Sequence, residues 1–449
     1  MQFSDITLDL LPAIRKLLLA DGRETSEYAL SYTFPWHSQL YSVQFAETSG
    51  CGVYKFSFRG REYFSYPFGP GDKKAACAEV ESLARVMGTK AKFAPVTRDE
   101  AASLGPGWLV RPLPAIADYV YRTRDLAELK GGKYQQKRNH IHRFEERGPW
   151  HYGNVDVDDC RQVLASWLDG HPVDAELEIE LKALEIIFAA PGLMGLKGGV
   201  LYQNGRPVAF ALGEPLSERM FLASYEKAIP SIQGAFPMVT RCFARREAAG
   251  YEYLNRAPAD GHPNLEKAKR SFHPVFMGEK FAAVKSRARF AVPEDAGLIV
   301  ELWRKSFGDR EEVVRYFVEH RLDGDNCLIV DNKAMAFFLE DGDTRYLYTL
   351  ATSPDSRRQG LATEIIATAK QLYAEPIVLV PGSLELVSFY EKLGFRITAH
   401  AVRRKIELDG FAKEFYRLAT GEAEPEIWSS MPTMTSPAIP GYVKAVPLN

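Results

Sequence analysis

Residues 347–362 constrain the fold of this chain more than any other stretch. An alternating apolar segment ends at Pro354, the backbone turns through Asp355, Ser356, Arg357, Arg358 and Gln359, and a helix begins near Gly360. Leu361, Ala362, Ile365, Ile366, Ala369 and Leu372 recur at helical spacing and predict its buried face. The first N–H groups of such a helix have no internal partner, and small residues at 360 and 362 let a ligand approach closely. Arg357 and Arg358 add positive charge to the same mouth. A strand, a glycine-led turn and a helix with this charge suit a diphosphate.

About thirty residues further on, a second helix is expected over 384–393, stopped by Gly394 before a strand that starts at Phe395. It carries Tyr390, whose phenol can protonate a leaving thiolate. Around these segments the order over 288–405 reads strand, two helices, hairpin, strand, helix, strand, helix and a final strand pair.

These two segments resemble the GNAT acetyltransferase superfamily. Arg357-x-x-Gly360-x-Ala362 is similar to its acetyl-CoA motif, and Phe389 to Phe395 resembles its second conserved helix. The resemblance covers about a quarter of the chain. It implies that backbone groups of Leu350, Ala351 and Thr352 pair with the pantetheine arm. It also implies that the amides of Arg358, Gln359, Gly360, Leu361, Ala362 and Thr363 hold the pyrophosphate, with Arg357 beside them, and that Tyr390 is the general acid. Ser383 stands where the superfamily often has Asn. No Glu lies on the strand expected over 345–352, so amine deprotonation is expected to run through water.

Upstream, the chain divides at about 149 and again at about 284. The first block opens with a helix-period segment and continues into a hairpin over 53–66, with Arg59-Gly60 at its turn. The second contains a hairpin turned at Asn204-Gly205, a strand, a helix over 236–249 and a strand over 251–255. The basic run from Lys130 to Arg147 holds six Lys or Arg against Glu145 and Glu146. Lys133, Lys137, Arg138 and Arg143 form a candidate phosphate patch on a helix. A second candidate is the strand end Asn255-Arg256, followed by a basic helix carrying Lys267.

Together these segments resemble the DUF2156 family, which is similar to the catalytic domain of phosphatidylglycerol lysyltransferases, over about residues 1–282. The resemblance implies two acetyltransferase-like folds in tandem and contact with aminoacyl-tRNA. The middle block lacks the Arg-x-x-Gly-x-Gly/Ala loop. Residues Ile229 to Ala235 occupy that place, so acetyl-CoA is not expected there. Ala257 follows Asn255-Arg256 where the family pattern calls for an acidic residue.

The expected architecture is therefore α/β (α+β), with three GNAT folds of mixed central sheets flanked by helices. Residues 1–149 and 150–284 form the tandem unit, 285–406 the acetyl-CoA-binding domain, and 407–449 a Pro-, Ser- and Thr-rich extension. The leading activity is acetyl or acyl transfer from acetyl-CoA to a primary amine. One alternative is aminoacyl-tRNA-dependent transfer centred on 1–282; another is an N-terminal pair that only recruits substrate. Net charge is −2, so no global field draws the chain to nucleic acid or membrane. Five scattered cysteines give neither a disulfide framework nor a metal-ligand rhythm, and a cytoplasmic location without a membrane span is expected.

Overall fold

The computed structural model describes residues 1–36, 41–58, 61–169, 173, 175–189, 192, 195–399, 402–405, 418, 426–429 and 433–436. The Arg59-Gly60 turn and most of the C-terminal extension lie outside them.

Three seven-stranded sheets share one plan. In the third, Ala288–Phe290, Cys327–Val330, Ala334–Asp341 and Thr344–Thr352 run antiparallel in chain order. A parallel step joins Thr344–Thr352 to Ile377–Leu379. The last strand in the chain, Thr433–Thr435, inserts antiparallel between Ile377–Leu379 and Arg396–Ala399. The expected boundary at 406 is therefore corrected, because residues of the extension complete this sheet.

The first two sheets follow the same plan but exchange their inserted strands. The first contains Ser4–Asp5, Tyr41–Thr48, Cys51–Phe58, Arg61–Phe64 and Lys92–Val96, and ends with Trp108–Pro112. Its inserted strand is Phe281–Lys285, which arrives from the far side of the second sheet. Conversely Asp118–Arg122 leaves the first sheet and inserts between Tyr253–Asn255 and Phe276–Gly278. Sheet membership thus changes near residue 115 and returns near 280, so the expected divisions at 149 and 284 do not follow the sheets. Both exchanged segments are short and largely buried, as strands inside a sheet are.

Local chemistry accounts for the main elements. Asn204 and Gly205 take φ of 52° and 75°, closing the hairpin Lys197–Gln203 to Arg206–Pro215. The Asp72 carboxylate accepts from the amide of Ala75 and starts the helix Lys73–Val86. The helix Leu361–Leu372 buries Leu361, Ile365, Ile366, Ala369 and Leu372. Leu109 and Val284 of the first sheet join the core beneath it, so this helix is packed between two sheets. Among the described residues, no helix is long and apolar enough to cross a membrane.

Candidate active site

The third sheet opens where its parallel pair stops. Thr344–Thr352 pairs with Ile377–Leu379 at Arg345 with Ile377 and Tyr346 with Val378, then runs on without a partner on that side among the described residues. A bulge lies just past the divergence. Phe337 faces Thr349 while Phe338 faces Leu347, which leaves Tyr348 as the extra residue and bends the strand. Leu350 and Thr352 are half-buried along the open stretch, Ala351 is buried, and the Thr352 carbonyl accepts from Ser306 Oγ at 3.3 Å.

The turn beyond Thr352 presents a bare helix start. Pro354–Ser356 makes one 3₁₀ turn, and Arg357, Arg358, Gln359 and Gly360 are exposed. Arg358 and Gly360 take φ of 64° and 77°. Gly360 is the N-cap of Leu361–Leu372, and no side chain caps it. A Cβ at Gly360 would meet nothing within 4 Å. Arg357 and Arg358 have no ion-pair partner among the described residues, and Thr363 is exposed one turn into the helix. Free amides, open space and uncompensated positive charge converge there, which fits a diphosphate.

Tyr390 sits on Val387–Lys392, after a separate 3₁₀ turn over Leu384–Leu386; the single helix expected over 384–393 is thus two pieces. Its ring packs on Phe389 and Phe395, and its hydroxyl has no hydrogen-bond partner among the described residues. Burial, with Tyr346 adding to it, pushes the phenol up to about 12. Ser383 is half-buried at the start of the 3₁₀ turn and makes no side-chain cap.

The corresponding turn of the second unit is closed. Gly234 caps Ala235–Arg246 with φ of 88°, matching Gly360 in conformation. A Cβ there, however, would lie 2.2 Å from the His140 carbonyl oxygen and 2.9 Å from Phe144 Cβ. The basic helix Gln135–Glu145 crosses this helix start and fills the space a diphosphate would take.

That packing also redistributes the candidate basic patch. Lys133 lies in the preceding 3₁₀ turn Gly132–Tyr134 rather than on the helix with Lys137, and pairs with Asp125 at 3.7 Å. Arg138 donates to the carbonyls of Leu129 at 2.5 Å and Gly131 at 2.8 Å, closing the preceding helix end. Lys137 donates to Ser271 Oγ at 2.7 Å and lies over the Phe272 ring; burial pushes it down to about 8. Arg143 and Lys267 are exposed. Asn255 and Arg256 belong to no surface patch, since both are buried. The Arg256 guanidinium pairs with Glu226 at 2.7 Å against the rings of Phe236 and Phe272.

Asn255 instead joins a buried network absent from the sequence reading. Its amide donates to Asp118 Oδ2 at 2.9 Å, and Lys280 Nζ reaches Asp118 at 2.7 Å and Glu27 at 2.6 Å. A cavity of about 420 Å³ lies beside it, walled by Glu24, Asp118, Asn255, Phe276 and Lys280 among others. Among the described residues no cluster of His, Cys, Asp or Glu could hold a metal ion, and the five cysteines are buried thiols.

Comparison with known proteins decides the family. The model described as "Phosphatidylglycerol lysyltransferase, C-terminal" matches residues 21–284, more than half of the chain. The chain belongs to this lysyltransferase C-terminal family. The acetyltransferase (GNAT) domain model matches residues 293–409. A conserved protein of unknown function from Bacteroides thetaiotaomicron is 32% identical, covering 64% of this chain and 100% of its own, with a TM-score of 0.59. The C-terminal domain (DUF2156) of a protein described as "Putative Lysylphosphatidylglycerol Synthetase" from Agrobacterium fabrum is 17% identical, covering 62% of this chain and 93% of its own, at a TM-score of 0.45. L-PGS from Bacillus licheniformis is also 17% identical, covering 63% and 93%, at 0.43. No curated protein matches. Member of a lysyltransferase-type family and carrier of a GNAT domain, the chain is an acyltransferase built from three GNAT-like sheets.

Proposed function

We propose that the third unit transfers an acetyl or related acyl group from its CoA thioester to a primary amine. The observation that carries this reading is the contrast between two equivalent helix starts: Gly360 is open and uncapped, while Gly234 is filled by His140. In this reading the amides from Arg358 to Thr363 hold the pyrophosphate, and the unpaired edge at Leu350 to Thr352 aligns the thioester arm. Catalysis is then mainly positioning. The amine nitrogen bonds to the thioester carbonyl carbon, its proton passes to water, and the C–S bond breaks. Tyr390 gives its proton to the departing sulfur.

Turnover of acetyl-CoA against a panel of primary amines tests the proposal. An acetylated amine, with turnover lost in Gly360→Glu, supports it; no turnover with any amine, and no affinity for acetyl-CoA, rejects it.

A second reading is aminoacyl-tRNA-dependent transfer by residues 21–284. The 420 Å³ cavity where the two sheets exchange strands favours it, together with the family match. Filter binding of charged tRNA at low salt separates the two, because this reading requires binding that Arg143→Ala and Lys267→Ala weaken.

A further inference from the structure

We propose that Lys90, from the first unit, completes the donor-phosphate site of the third unit by neutralising Glu364. The inference rests on the reading of that site given above. Glu364 lies in the first turn of Leu361–Leu372, and its amide donates to the Gly360 carbonyl at 2.9 Å. At a rise of about 1.5 Å per residue, this places a carboxyl-bearing residue roughly 6 Å along the axis from the N-cap. A lone acidic side chain suits a helix start, but it repels a diphosphate bound to the same amides.

The carboxylate is turned toward the first unit. Lys90 Nζ, just before the strand Lys92–Val96, lies 2.8 Å from both of its oxygens. Ser286 Oγ donates at 3.0 Å and the Arg287 amide at 2.9 Å, both from the segment joining the units. Burial alone would raise Glu364, yet the Lys90 contact and these hydrogen bonds hold it below its ordinary value, so it is ionised at neutral pH. The side chains of Lys90 and Glu364 are only 18% and 16% exposed, which limits screening by solvent. Lys90 is thus a positioning residue: it cancels a charge and fixes the helix start without reaching the ligand.

A mere tether between units would show the same contacts, so the test follows charge. Acetyl-CoA is titrated calorimetrically into the full chain and into Lys90→Met, Glu364→Gln, Lys90→Arg and the Met/Gln double variant. The proposal expects Lys90→Met to weaken binding about three- to ten-fold, from a like charge roughly 6–8 Å away in a partly screened site. It expects Glu364→Gln to tighten binding, the double variant to recover, and Lys90→Arg to stay near the original. The Lys90→Met loss should shrink as salt rises from about 0.05 to 0.5 M. Unchanged binding in Lys90→Met, or a double variant as weak as Lys90→Met, overturns the inference alone. An original protein with no affinity for acetyl-CoA overturns the donor-site reading and this inference with it.

Discussion

Asp118 and Lys280, 162 residues apart, meet at 2.7 Å where the first two sheets exchange strands. Asp118 opens the strand that leaves for the second sheet, and Lys280 immediately precedes the strand that returns to the first. Both side chains are 2% exposed, and the Leu113 amide donates to the Lys280 carbonyl in the same crossing. Ser26 Oγ, at 2.6 Å from Asp118, and Glu27 close the network. The pair therefore locks two folding units into one.

Removing the cation leaves the buried Asp118 carboxylate without a counter-charge, beside the half-buried Glu27. Lys280→Met should destabilise the tandem unit by about 3–5 kcal/mol, measured by chemical unfolding followed by tryptophan fluorescence. Adding Asp118→Asn should restore part of that loss; equal stability of Lys280→Met and the original chain contradicts the lock.

The two matched glycines predict opposite costs. Gly360→Ala meets open space and carries only the left-handed backbone strain, about 1 kcal/mol. Gly234→Ala adds a clash with the His140 carbonyl, so it should cost roughly 3 kcal/mol or more. Thermal unfolding of the two variants, compared side by side, checks the ordering.

Tyr390 sets the pH behaviour of the proposed transfer. Burial, then Tyr346, raises its phenol to about 12, so the proton is present at all lower pH and lost only as pH rises through that value. The kcat profile should climb as the amine deprotonates and show no descending limb by pH ~10. Tyr390→Phe should lower kcat by about 10²-fold with little change in KM. A fall in kcat between neutrality and pH ~9 in the original protein would rule Tyr390 out as the acid.

Arg138 distinguishes scaffold from patch. Its bonds to Leu129 and Gly131 carbonyls predict that Arg138→Gln loses about 1–3 kcal/mol of stability, with no change in low-salt RNA binding beyond the unfolded fraction. Weaker RNA binding by fully folded variant protein would instead support the second reading.

What the sequence made legible is local. Asn204-Gly205 needs positive φ at both positions, and the helix face from Leu361 to Leu372 follows from spacing alone, so both were readable. The strand exchange was not, because residues 118–122 and 281–285 look alike as short buried strands whichever sheet receives them. The seventh strand Thr433–Thr435 hides in a Pro- and Ser-rich tail for the same reason: its partners lie more than thirty residues away. Asn255 and Arg256 read as a polar strand end open to ligand. The rings of Phe236 and Phe272 and the carboxylates of Glu226 and Asp118, drawn in from distant segments, help to bury them. The missing Arg-x-x-Gly-x-Gly/Ala loop already set Gly234 apart from Gly360, but nothing local in the sequence told that a helix ninety-odd residues upstream crosses it. Lys90 and Glu364 left one signal, an acidic residue two places past the motif, and nothing to say which cation faces it.

Titration of acetyl-CoA into the intact protein, beside Gly360→Glu checked for unchanged secondary structure, tests the central claim most directly. The account predicts saturable one-site binding in the original chain and none in the variant. Binding that survives the variant, or an original chain that shows no saturable binding heat of either sign at any concentration, contradicts it.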